Sequence, residues 1–69
     1  MLKIKKIEVE DLSENIIGKY ITNSDKEIFY KVVKRYEGEL SKEILLELES
    51  NLSVDDYILL RDYYILEEE

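Results

Sequence analysis

Catalysis needs nucleophiles and bases, and this chain has few to offer. None of its 69 residues is histidine or cysteine. A nucleophile would have to be Ser, Thr, Lys, Tyr or a carboxylate, and its base a carboxylate or Lys. Ser13, Ser24, Ser41, Ser50 and Ser53 all stand in turn or helix-capping contexts that account for them. Gly18 and Gly38 are isolated, so no phosphate-cradling loop is written, and no Asp-x-Asp-x-Asp-Gly calcium loop occurs. Lack of Cys excludes disulfides and thiolate zinc sites, and lack of His removes the commonest metal ligand. A carboxylate pair can still do acid–base work, but so short a fold offers little volume for a pocket. The expectation is a protein that is not an enzyme and carries no metal and no cofactor.

What the sequence offers instead is surface. The formal charge is −7, unevenly spread. Residues 1–36 hold eight Lys/Arg against six Asp/Glu, and residues 37–69 hold two against eleven. The acidic half, with Glu37, Glu39, Glu43, Glu47, Glu49, Asp55, Asp56, Asp62 and Glu67–Glu69, should be repelled by nucleic acid and anionic lipid. Its plain role is a solvated face; its sharper role is to imitate a phosphate array and occupy a basic protein. Read as a helix, the stretch from Val54 to Leu66 has two apolar sides. Val54, Tyr57, Ile58, Leu60, Tyr64 and Ile65 make the core arc, while Leu59, Tyr63 and Leu66 fall on nearly the opposite side among Asp55, Asp56 and Asp62. An exposed apolar strip inside an acidic rim suits self-association or a protein partner. The candidate contact residues are therefore Asp55, Asp56, Tyr57, Leu59, Asp62, Tyr63 and Leu66.

These residues must be placed by a single domain spanning residues 1–69, whose 45% hydrophobic content is that of a folded chain. Leu2 to Val9 reads as a strand whose alternation slips at Lys5-Lys6. Ile16–Thr22 and Glu27–Tyr36 read as strands joined by a turn at Asn23–Lys26, because β-branched and aromatic residues dominate. The same segment also fits a helix capped at Ser24 and stopped at Gly38. Ser41 can cap a helix carrying Ile44, Leu45, Leu48 and Leu52, and Ser53 a second one running to about Leu66, with Glu67–Glu69 fraying. The predicted fold is α+β: a three-stranded antiparallel meander over residues 2–36 followed by two C-terminal helices. The alternative is a short N-terminal strand plus a three-helix bundle.

No apolar run is long enough to span a bilayer, and the first residues lack a signal peptide's apolar stretch, so the expectation is a cytoplasmic protein with no membrane partner. The functional expectation is a stoichiometric inhibitor or antitoxin-like factor, of the kind common among small phage and mobile-element proteins, that blocks a basic surface. A chain with so small a core is also expected to form a homo-oligomer. The alternatives are a structural or regulatory homodimer, and a nucleic-acid-binding module that uses Lys3, Lys5, Lys31 and Arg35 with Tyr20, Phe29 and Tyr30 on a lysine-rich sheet. Nucleic acid is the less expected partner, because lysines also protect exposed strand edges.

Overall fold

Ten apolar side chains drawn from every part of the chain meet in one buried cluster: Ile7, Leu12, Ile16, Ile21, Val32, Leu46, Leu48, Val54, Leu59 and Ile65. In a computed structural model, which describes residues 1–68, six strands carry or flank them: β1 (Leu2–Lys6), β2 (Tyr20–Thr22), β3 (Phe29–Glu37), β4 (Ile44–Leu48), β5 (Ser53–Asp55) and β6 (Tyr64–Glu68). One helix, α1 (Asp56–Asp62), lies between β5 and β6, and two 3-10 turns, Val9–Leu12 and Glu14–Ile16, lead from β1 to β2. The sheet order is β1-β6-β2-β3-β4-β5, and every pairing is antiparallel. Because side chains alternate between faces, a single cluster fed by five of these strands and by Ile7 at the end of β1 requires the sheet to curl around it.

The bend falls in β3. Its first part pairs with β2, Tyr20 opposite Lys31, and its second part with β4, Arg35 opposite Leu46. Between them the register slips from Val32↔Leu48 to Lys34↔Glu47, a bulge that reverses which residues face inward. Phe29 and Lys31 point out before it; Lys34 and Tyr36 point out after it. Arg35 therefore turns inward, and its Nε donates to the carbonyl of Leu12 at 2.6 Å. Lys31 and Arg35 thus lie on opposite faces, so they cannot both serve one lysine-rich surface.

The expected fold is overturned on three points. The N-terminal strand is not the first of a meander: β1 pairs with β6, and β6 stands between β1 and β2. The first helix is absent, because Ile44–Leu48 forms β4, with Leu46 and Leu48 buried and Leu45 and Glu47 turned outward. Over five residues, strand alternation and a helical stripe cannot be told apart by pattern; the turns decide. Lys42 at φ 61 closes β3 onto β4, and Asn51 at φ 70 closes β4 onto β5, its amide bonded to the Leu48 carbonyl at 2.9 Å. Asn tolerates that left-handed conformation because its short polar side chain bonds locally.

The second helix is half its expected length. Asp55, not Ser53, caps it, with its Oδ1 accepting from the Ile58 amide at 2.9 Å. The helix stops at Asp62, and Tyr63 is already extended. Tyr64-Ile65-Leu66 then forms a strand, which suits aromatic and β-branched residues better than a helix does. The alternative three-helix bundle fails for the same reasons. The expected fraying of Glu67–Glu69 is not seen at Glu67 and Glu68, which end β6; Glu69 lies outside the described residues. No helix among the described residues is long and apolar enough to cross a membrane.

Leu59 is fully buried at the centre of α1. Leu59→Ala should cost about 2–5 kcal/mol, most of the stability of so small a domain. Urea unfolding measures it; a change below about 0.5 kcal/mol, the size typical of surface substitutions, would place Leu59 on the surface instead.

Candidate protein-docking surface

Curling the sheet gives its two halves outer faces of different chemistry. On the β3–β4–β5 half, Tyr36 stands directly across from Leu45, and Leu45 across from Asp55. Tyr36 is 46% exposed and Leu45 38%. Beyond this pair the β3–β4 hairpin continues to Gly38 and Glu43, joined by a Gly38 amide to Glu43 carbonyl bond of 2.8 Å. Its tip carries Leu40, 98% exposed. β5 begins its pairing only at Leu45, so on that side the end of the hairpin overhangs the sheet.

Where the hairpin leaves the sheet lies a shallow cleft of about 280 Å³. Tyr36, Ile44 and Leu45 supply its apolar lining, and Glu37, Glu43 and Asp55 its carboxylates. Two of these are positioned by neighbours: Glu37 Oε1 accepts from Arg35 Nη2 at 2.9 Å, and Asp55 caps α1. An apolar centre within a carboxylate rim can hold a surface that is apolar in the middle and basic at the edge.

The seven residues expected to form the contact region are not brought onto one face. Asp55, Asp56, Tyr57 and Asp62 belong to α1 or its cap. Tyr57 is 71% exposed, with the Arg61 guanidinium 5.6 Å from its ring centre. Asp62 Oδ2 accepts from Arg61 Nε at 3.1 Å, and that carboxylate holds Arg61 above its ordinary pKa. Leu59 is in the core and supports the surface from beneath. Tyr63 lies past the helix end, half-buried against the core. Leu66 sits on β6 across from Ile4, beside a different cleft shared with Leu2, Tyr20 and Lys19. Of the seven, Asp55 alone lines the hairpin cleft. Tyr36 and Leu45 fitted regular elements and Leu40 fell between two of them; the signal available was a large apolar residue at a turn tip, Glu39-Leu40-Ser41.

The other half of the sheet is lysine-rich. Across β1, β6, β2 and β3, Lys6, Tyr64, Thr22 and Phe29 lie in register on the side away from the core, with Thr22 fully buried between its neighbours and Tyr20 and Lys31 as the neighbouring pair. Lys6 and Lys26 both approach the Tyr64 ring, Nζ to centroid 5.1 and 4.5 Å. Lys5 is on the inner side, where it pairs with Asp11 at 3.3 Å and Glu67 at 3.2 Å. Hydrogen bonds to Glu67 and Asp11 raise its pKa, so this contribution to stability is whole below pH about 10.5 and fades as pH climbs through the folded value.

Compared with known proteins, the chain matches no family model, no curated protein and no solved structure.

Burial pushes the Tyr63 phenol above its ordinary value of 10.0, and Tyr30 and Asp62 add to the shift. A raised phenol stabilises the fold below pH about 10 and ceases to do so as pH rises through its folded value. In a tyrosinate absorbance titration, Tyr63→Phe should remove a late-ionising component. A curve that loses an early component instead would contradict the burial of this ring.

Proposed function

We propose that the chain is a non-catalytic protein-binding factor that occupies a basic surface on its partner, in the manner of an inhibitor or antitoxin. The observation that carries this reading is the pairing of Tyr36 with Leu45 in a cleft rimmed by Glu37, Glu43 and Asp55, with Leu40 bare at the adjacent hairpin tip. Carboxylates at the rim steer a basic partner and reject acidic ones, and the apolar centre supplies affinity once water is expelled. The contact region thereby shifts from the last helix to the β3–β4 hairpin, with Asp55 common to both readings. A basic surface complementary to such a rim is typical of proteins that handle nucleic acid, so the blocked surface is proposed to be of that kind. The reading places this work in the cytoplasm, in keeping with a cysteine-free chain.

The test is capture from host lysate by the immobilised chain, set beside its Leu40→Glu and Glu43→Lys variants. A basic protein should be retained at low salt and displaced by added duplex DNA, and each variant should weaken its capture about tenfold or more. Equal capture by wild type and both variants, or retention indifferent to DNA, would overturn the reading.

A further inference from the structure

The acidic hairpin face has a complement on the same chain. Lys6, Lys26 and Lys31 surround Tyr64, Phe29 and Tyr20 on the outer face of β1–β6–β2–β3. Tyr20 and Phe29 are both partly exposed, at 42% and 37%. No ion pair engages Lys26 or Lys31 among the described residues, whereas Lys5, Arg35 and Arg61 each take part in at least one. This face therefore presents ammonium groups around an aromatic centre, the counterpart of carboxylates around Tyr36 and Leu45. The β3 bulge separates the two faces and turns the sheet between them.

We infer that the hairpin face of one copy docks on the lysine–aromatic face of a second copy, head to tail. The inference rests on the hairpin face assigned above and names an occupant for it when no other partner is present. The occupant is the chain itself because carboxylates outnumber Lys34 and Lys42 at the hairpin face, while lysines cluster on the other face beside Glu49 and Glu68, and because any solution of this protein contains both faces in equal number. A charge of −7 on every copy opposes approach at long range, so the association is weak and forms only when the faces are in register. A contact between two different faces does not close on itself by two-fold symmetry, so a dimer leaves one face of each kind free and can add further copies. A basic partner bound at the hairpin would displace the second copy.

Two variants separate the faces. Lys31→Glu disables the lysine face and leaves the hairpin untouched; Leu45→Glu disables the hairpin face and leaves the lysines. Leu40→Glu, at the bare tip, replaces Leu45→Glu should that variant fail to fold. Sedimentation velocity over a concentration series should show the wild type growing heavier with concentration, and each variant alone remaining a monomer, its association weakened about tenfold or more. An equimolar mixture of the two variants should form dimers and nothing larger, because each contributes one working face. A wild type that stays monomeric up to millimolar concentration would overturn the inference. So would a variant that associates as the wild type does, or binding of a single-stranded oligonucleotide by a wild type that remains monomeric. Lys31→Glu also distinguishes this inference from the proposed function, since it should lose self-association yet still capture a basic partner.

Discussion

The structure depends on the insertion of β6 between β1 and β2. Ile65 pairs with Lys5 on one side and Ile21 on the other, and it is completely buried. Through that one strand the last residues of the chain lie between the first two strands, with hydrogen-bonded neighbours on both flanks. Without it β1 would have no strand partner. Arg35 adds a second tie, since its guanidinium reaches back to the Leu12 carbonyl at the end of the first 3-10 turn. A chain of 69 residues without disulfides or metal-binding cysteines gains its order from such long-range contacts and from a core of ten apolar side chains.

The same architecture explains the sorting of charge. The basic half of the sequence supplies most of the face formed by β1, β2 and the start of β3, and the acidic half supplies β4, β5 and α1. Strand β3 joins the two, and its bulge turns one outward set into another. Charge segregation along the chain thereby becomes partial segregation in space, since β6 brings Glu67 and Glu68 between β1 and β2 and Lys34 points out beside Tyr36. The hairpin carries Leu40, the most exposed large apolar residue among the described ones, at its tip, which is why Leu40, Tyr36 and Leu45 bear the functional reading.

Part of this was legible beforehand. The antiparallel pairing of residues 20–22 with 29–31 follows from a β-branched and aromatic run on either side of the polar stretch beginning at Asn23. The slip at Lys5-Lys6 marked the end of β1 instead of a bulge within it. The C-terminal half misled because its segments are short. Ile44-Leu45-Leu46-Glu47-Leu48 satisfies either period, and Asn51 acts as a left-handed turn residue where a helix end was read. Tyr63, Tyr64 and Leu66 looked helical only because the periodicity of Val54–Leu60 was carried past Arg61 and Asp62. Pairing with β1 and β2, which no local pattern encodes, decides that segment. Once the helix is cut at Asp62, the apolar stripe that joined Leu59, Tyr63 and Leu66 no longer exists.

The most direct test of the account is therefore the conformation of residues 62–66. Isotope-edited NOE measurements on the labelled protein should place Ile65 next to both Lys5 and Ile21, with slow amide exchange across β6. Sequential helical contacts running unbroken from Asp62 to Leu66, with no contact from Ile65 to Ile21, would contradict it and restore the long terminal helix.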